Sequence, residues 1–247
     1  MNNYSKYAAN PTGHNMNVMV ERFSHIIDKL NADNIKVLLE IGSLDCWESI
    51  NLARMFPGAI VHTFEPVPLN INRCKETLNN HSNDITDRIF LHEAAMNDVT
   101  GPMEFWALDA IEAAKKKDKL NHGIGSKLKL INPDMWPWEH NIQHAINVKG
   151  YRLEDWCNEN NVLNVDGIWM DAQGAELDIL KGAGTILNGI QFIMTEAGLK
   201  PYYNGHTMKA DIDKYLASYG FYEHISATKQ NHEYECDVIY LNSNLTT

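Results

Sequence analysis

Trp169-Met-Asp-Ala-Gln-Gly-Ala-Glu-Leu-Asp-Ile-Leu-Lys-Gly182 reads as the end of an apolar strand, a joint of small residues and the start of a helix. It places Asp171 on the strand tip, and open α/β sheets bind ligands outside the carboxyl ends of their strands. Far upstream, Val37-Leu-Leu-Glu-Ile-Gly-Ser-Leu-Asp-Cys-Trp47 has the same layout. Between and beyond these units the pattern alternates. It predicts a helix over 18–30, a strand over 35–41, a helix over 48–55, a strand over 59–64, a helix over 70–80 and a strand over 89–95. An antiparallel partner or loop edge follows at 101–108 and a strand at 145–148. After these come a helix over 153–160, a strand over 167–170, a helix over 175–181, a strand over 192–196, a helix over 208–219 and final strands at 221–226 and 236–241. The expectation is one α/β domain over 1–247, with a cap and helix over 1–34. The stretch 109–147 breaks the pattern with Lys115-Lys-Lys-Asp-Lys119, Gly123-Ile-Gly-Ser126 and Trp136-Pro-Trp138, and reads as an insertion covering the substrate site.

Composition narrows the function. The 247 residues are 44% hydrophobic and 21% charged, enough for one sizeable core. No apolar run reaches the roughly 18 residues of a membrane span, and the polar start lacks a secretory pattern, so the expected location is cytoplasmic. Cys46, Cys74, Cys157 and Cys236 show neither metal nor redox spacing and read as reduced thiols. A net charge of −11 disfavours nucleic acid and anionic membrane surfaces, which call for basic patches. A neutral, cationic or sugar-like small molecule suits the chain better, and nothing in the sequence speaks to oligomeric state.

Three strand ends carry candidate ligand contacts. In Glu40-Ile-Gly-Ser-Leu-Asp-Cys46, an acid closes the first strand and Gly42 follows, flanked by Ser43 and Asp45, the layout used by nucleoside cofactors. The three-glycine dinucleotide fingerprint is missing, which favours a cofactor without phosphates whose amino group and sulfonium would be welcomed by Glu40 and Asp45. A tight turn with Asp45 as helix cap is the plain structural alternative. At Phe64-Glu-Pro-Val67, Glu65 before Pro66 can accept both ribose hydroxyls through its two oxygens, or stand as a solvated loop acid. At Glu93-Ala-Ala-Met-Asn-Asp98, Ala95 leaves room for a flat base and Asn97 or Asp98 can bond its exocyclic amine, unless the alanines simply pack.

These blocks, in this order, resemble the FkbM-type S-adenosylmethionine-dependent methyltransferases. The resemblance rests on Glu-Ile-Gly-Ser-x-Asp at 40–45, Phe64-Glu-Pro66, Ala95 with Asp98 and Gly101, Tyr151-Arg-Leu-Glu-Asp155, Met170-Asp-Ala-Gln-Gly-Ala-Glu176 with Leu180-Lys-Gly182, and Thr195-Glu196. It spans about 35–241, nearly the whole chain. It implies a Rossmann-like class I methyltransferase fold, a mostly parallel twisted sheet flanked by helices with an antiparallel C-terminal strand. It also implies methyl transfer from S-adenosylmethionine to a hydroxyl oxygen, often of a sugar or polyketide-type product. Three residues depart from the family pattern: Cys46 for a glycine of the cofactor loop, Trp169 for Lys and Gln173 for Glu.

An oxygen nucleophile must lose a proton as it attacks, which makes Asp171 the candidate base, beside the cofactor, with Glu196 either hydrogen-bonding substrate or orienting Asp171. The resulting cofactor set is Glu40, Gly42, Ser43, Asp45, Glu65, Pro66, Ala95, Asn97 and Asp171. Ser126, Trp136, Trp138, His144 and Gln173 are assigned to an acceptor, the tryptophans as platforms for a sugar face or as seals against the core. A divalent metal on Asp171, Glu196 and a histidine is possible chemistry, disfavoured by Gln173, and no metal ligand is assigned. Glu176 reads as a backbone cap or a partner of Lys181. Two other classes compete: a nicotinamide oxidoreductase, which should carry the missing glycine-rich turn, and a non-catalytic cofactor-binding or scaffold protein, to which Trp169 and Gln173 lend weight.

Overall fold

In the computed structural model the described residues are 26, 29–30, 32–108, 123–131, 143–228 and 233–245. Most of the expected helix over 18–30 lies outside them, as do Trp136 and Trp138. The first strand, β1 (Val37–Ile41), is buried on both faces, which explains its unbroken apolar run around Glu40. Helix α1 (Trp47–Met55), β2 (Ile60–Phe64), α2 (Pro68–Asn79), the one-turn α3 (Asn83–Thr86) and β3 (Ile89–His92) follow. After a short second sheet come α4 (Leu153–Glu159), β7 (Gly167–Met170), α5 (Glu176–Ala183), β8 (Phe192–Gly198), α6 (Lys209–Ala217), β9 (Phe221–Thr228) and β10 (Glu235–Asn242).

The main sheet has the order β3-β2-β1-β7-β8-β10-β9. β1, β2, β3, β7 and β8 pair in parallel, and β10 runs antiparallel to both β8 and β9. The chain leaves β1 toward β3, then returns to lay β7 on the other side of β1. That reversal is a topological switch point, and a crevice opens outside the carboxyl ends of β1 and β7. Leu39, Ile41, Ile168, Met170 and Trp156 form the core on one face with Leu180 and Leu216. Leu38, Ile50, Phe56, Val61 and Phe192 form the core on the other.

The predicted strand over 89–95 is two strands. It breaks at Glu93-Ala94, and β4 (Ala95–Asn97) leaves the main sheet to pair in parallel with β6 (Gln143–Arg152). β5 (Gly101–Leu108) lies antiparallel on the other side of β6. β6 begins at Gln143, so the last residues of the expected insertion are strand. Its outer half alternates half-buried and exposed residues, a weak apolar pattern that a sequence reading shortens to 145–148.

Candidate active site

Gly42 brings the two central strand tips together. Its φ is +84°, and a Cβ there would lie 1.9 Å from the Asp171 carbonyl oxygen, so only glycine allows this approach. The Asp171 N–H donates to the Ile41 carbonyl at 2.9 Å, and the Gly42 N–H to the Phe64 carbonyl at 3.0 Å. The glycine is therefore required first by the neighbouring strand end, independently of any ligand. Beyond it, the buried Ser43 hydroxyl accepts from the Cys46 N–H at 2.9 Å, and Asp45 accepts from the Trp47 N–H at 3.2 Å. Asp45 thus braces the start of α1 from the residue before its N-cap, Cys46, rather than standing at the cap itself. Leu44 and Cys46 both hold left-handed backbone, φ 59° and 62°. Cys46 keeps the conformation a glycine would take freely, at a strain of about 1 kcal/mol, and buries its thiol beside Cys74.

Of the carboxylates around this loop, Glu40, Asp45 and Glu65 are buried and Glu48 is half-buried. Glu40 accepts from Ser49, its other oxygen Oε1 has no hydrogen-bond partner, and burial followed by the charge of Glu48 holds its pKa well above the usual range. Glu65 accepts from the Leu44 N–H at 2.9 Å and the Val67 N–H at 2.8 Å, one on each oxygen. Pro66 restricts Glu65 to extended backbone, which aims the carboxylate at the loop. Burial pushes Glu65 up to about 7, against the pull of those two N–H groups. The Asn70 side chain adds a third hydrogen bond, which leaves one acceptor position of the carboxylate for a ribose-type hydroxyl. Glu48, on the first turn of α1, is pushed up to about 8 by burial, then by the charges of Asp45 and Asp171. Sequence reading passes over Glu48 because an acid in a first helical turn is ordinary dipole chemistry.

Ala95 packs with Val67, Phe105 and Ala107. Asn97 is buried and its side-chain oxygen accepts from the Lys127 ammonium at 2.6 Å, which also pairs with Asp178 at 2.6 Å. A Cβ on Gly182 would meet the Asn97 carbonyl oxygen at 2.0 Å, so α5 packs directly on the β4 backbone. Lys127 belongs to the segment 123–131, which crosses from one half of the site to the other. Gly125 lies against Val67 and Phe105 on the Glu65 side, and Ser126 donates to the Gln173 carbonyl at 2.9 Å. Ser126 is fully buried, its hydroxyl shared between that carbonyl and the Leu128 N–H, so in this structure it holds backbone rather than facing open space. His144 is exposed on β6, on the opposite face from Gln143, whose amide grips Ile124 and Leu130. Trp106 carries the Lys129 ammonium over its ring at 4.7 Å.

The second half of the site is a row of acids. Met170 pairs with Thr195, so Asp171 and Glu196 stand next on adjoining tips, and Glu196 is itself in register with Asp237. Gln173 donates from Nε2 to Asp171 at 2.7 Å and lies 3.4 Å from Glu196, while its oxygen accepts from the Tyr203 hydroxyl at 2.8 Å. Gln173 is thus placed within the acid row rather than solely toward an acceptor. Glu176 accepts from the Ala172 and Gly174 N–H groups at 3.1 Å each, the backbone cap expected of it, while Lys181 pairs with Asp178. Burial pushes Glu176 up to about 8, with the charges of Asp171 and Glu196 adding. Gln173, Glu196, Tyr203, His206 and Glu235 line a small cavity here. His206 accepts the Tyr202 N–H on Nδ1 at 3.0 Å, and burial lowers its pKa, so the neutral ring carries its proton on Nε2. It is a donor here, which removes it as a base. Tyr203 and His206 lie in a turn after β8, at a strand tip where ligand groups gather; that position is their one sequence signal. Among the described residues no group of three or more His, Cys, Asp or Glu is placed to hold a metal ion, and no helix is long and apolar enough to cross a membrane.

A parallel sheet of this order with one antiparallel strand, and acids at the ends of β1 and β2 facing a switch point, defines a Rossmann-like methyltransferase. The chain belongs to the methyltransferase FkbM domain family, whose model matches residues 34–222, and is thereby placed among S-adenosylmethionine-dependent methyltransferases. It is 32% identical over 169 residues to the 2-O-methyltransferase NoeI of Sinorhizobium fredii, a match spanning 68% of this chain and 66% of that protein. Solved structures agree on the fold. The METTL16 methyltransferase domain superposes with a TM-score of 0.51 at 9% identity, covering 96% of this chain and 70% of that one. Magnesium protoporphyrin IX methyltransferase of Synechocystis PCC 6803, solved with bound S-adenosylmethionine, gives 0.50 at 11% identity, covering 98% and 88%.

Proposed function

We propose that the protein methylates a hydroxyl of a sugar or similar small acceptor, with S-adenosylmethionine as donor and Asp171 as the general base. The observation that carries this reading is the adjacency of two unlike halves. Gly42 holds the acid-lined loop of Glu40, Asp45, Glu48 and Glu65 in backbone contact with Asp171, the acid on the next strand tip. The cofactor fits this loop on the chain's own chemistry: a buried Glu40 oxygen lacks a partner, and carboxylates held above their usual pKa favour a ligand with cationic groups. Glu65 would hold a ribose hydroxyl through its remaining acceptor position, Glu40 and Asp45 the amino-acid end, and Ala95 the base. When bound, S-adenosylmethionine supplies an electrophilic methyl group on a sulfonium.

The chain's part in transfer is proton removal and orientation. Asp171, fixed through its backbone to Ile41 and through Oδ1 to Gln173, takes the proton of the acceptor hydroxyl as the oxygen attacks. His206 donates from Nε2 to acceptor oxygens, and Glu196 accepts from a neighbouring hydroxyl. The segment 123–131, tied by Ser126 to the Gln173 carbonyl, walls one side of the acceptor position. Support for an oxygen acceptor comes also from the likeness to a protein named as a 2-O-methyltransferase. The test is transfer of labelled methyl to a panel of glycans and small alcohols. Asp171→Asn should lower kcat about 10²- to 10⁴-fold while cofactor affinity measured by calorimetry stays within about threefold. Unchanged turnover in that variant removes Asp171 as base. Cofactor binding with no transfer to any acceptor class makes the protein a binding module.

A further inference from the structure

Gln173 occupies the centre of the acid row, and its surroundings dictate which way its amide points. The backbone there is left-handed, φ 51°, a conformation that side-chain-bearing residues seldom adopt outside functional turns. It is held from three directions: Ser126 donates to the Gln173 carbonyl, and Glu176 accepts the N–H groups of Ala172 and Gly174 on either side. The side-chain oxygen faces the hydroxyl of Tyr203, whose ring is fully buried and whose pKa is held well above 10 by burial and by the surrounding acids. A phenol so held stays protonated and donates. With the amide oxygen taken by that phenol, the NH₂ group faces the acceptor oxygens of Asp171 and Glu196. One nitrogen thus lies 2.7 Å from an oxygen of Asp171 and 3.4 Å from an oxygen of Glu196. It occupies the bridging place between two carboxylates on adjoining strand tips.

We propose that Gln173 is a positioning residue for methyl transfer: its amide, locked by Tyr203, holds the Asp171 and Glu196 carboxylates side by side in the geometry that proton removal needs. This rests on the reading of Asp171 as the base. A carboxylate in the same place would reverse the arrangement. It would offer no hydrogen to either acid and would add a negative charge beside Asp171, which already faces Glu48 from α1, Glu176 from α5, Glu196 from β8 and the Tyr203 side chain, itself facing Glu235. In the family pattern a Lys accompanies the Glu, but here Trp169 stands in its place, so like charges at such a spacing force a shared proton onto the cluster, and a protonated Asp171 is no base.

The test is Gln173→Glu, near-isosteric and therefore the variant least apt to disturb packing. The acidic limb of kcat/KM should move up by one pH unit or more, so that at a fixed pH on that limb turnover falls about tenfold and recovers as pH rises. Tyr203→Phe, which frees the amide without adding charge, should lower kcat several-fold and leave the limb in place. A role in folding alone would move neither limb position nor its recovery. Carbon-13 NMR titration of the Asp171 carboxyl in wild type and Gln173→Glu reads the same coupling without turnover. An unmoved midpoint overturns the proposal. A midpoint that moves while the kinetic limb stays fixed overturns Asp171 as the base, and with it the catalytic meaning of Gln173. Movement of both sustains it.

Discussion

At the residue scale, backbone shape decides more than side-chain identity. Gly42 is the clearest case: Gly42→Ala adds a Cβ that overlaps the Asp171 carbonyl and meets an unfavourable φ. The expected loss is at least ~2 kcal/mol of stability, with cofactor affinity falling in the protein that does fold. Thermal denaturation with and without S-adenosylhomocysteine checks it, and a wild-type melting temperature would show that the strand ends part without penalty. Gly42 is conspicuous in the sequence as the turn after an apolar strand, but the reason read there, approach of a ligand, is incomplete. The contact that demands it comes from a residue far along the chain. Asp45, Glu65 and Asp171 are legible for the same reason as Gly42, each lying one or a few residues past a strand end. Ser126 and Gln173 are visible only as polar residues, and the partners that define them, Gln173 for the one and Asp171, Glu196 and Tyr203 for the other, are set by folding.

At the element scale, helix ends are held by groups the local sequence does not contain. α1 stops at Met55, and its last carbonyls find Arg88, which donates to Ala53 at 2.7 Å, Phe56 at 3.3 Å and Ala59 at 2.9 Å. Arg88 lies just before β3, so one guanidinium ties α1, the turn after it and the sheet edge together. Arg88→Met should cost ~1.5–3 kcal/mol, since it strands carbonyls that a charged donor satisfies, and chemical denaturation would show a lower midpoint with an unchanged slope. An effect below about 0.5 kcal/mol would mean that water replaces the guanidinium. Strands were readable wherever both faces are buried, as in β7, whose predicted and observed limits coincide at 167–170. The break between β3 and β4 was not, because apolar residues on either side of Glu93-Ala94 serve two different sheets.

At the scale of the whole molecule, the site's buried acids set a pH dependence. Glu65, Glu48 and Glu176 hold protons in the folded state up to about 7, 8 and 8, above their value in an unfolded chain. Folded protein then binds more protons than unfolded protein between roughly pH 4.5 and 8, so this contribution is complete below that window and is lost as pH rises through it. The histidines work the other way. His62 and His206 are lowered by burial, and His92 to about 4 by burial and His62, so stability from them grows as pH rises toward their ordinary value near 6.5. Above about 6.5 only the acids remain, and the melting temperature of the free protein should fall between pH 6.5 and 8.5, by ~2–4 °C for each kcal/mol lost. Saturating S-adenosylmethionine should flatten that fall. A rising melting temperature over the same range would contradict the buried state of these acids.

Local pattern alone determined the alternation of strands and helices, an open α/β sheet, and the three strand ends that carry Glu40, Glu65 and Asp171, because these depend on apolar periodicity and on which residues follow a strand. Only the tertiary structure decided why Gly42 must be glycine, that Ser126 serves backbone, that His206 donates, and that Gln173 joins Asp171 to Glu196. Each of these is a contact between segments far apart in the chain, and hydrogen-bond roles and buried charge exist only once folding has excluded water from between them.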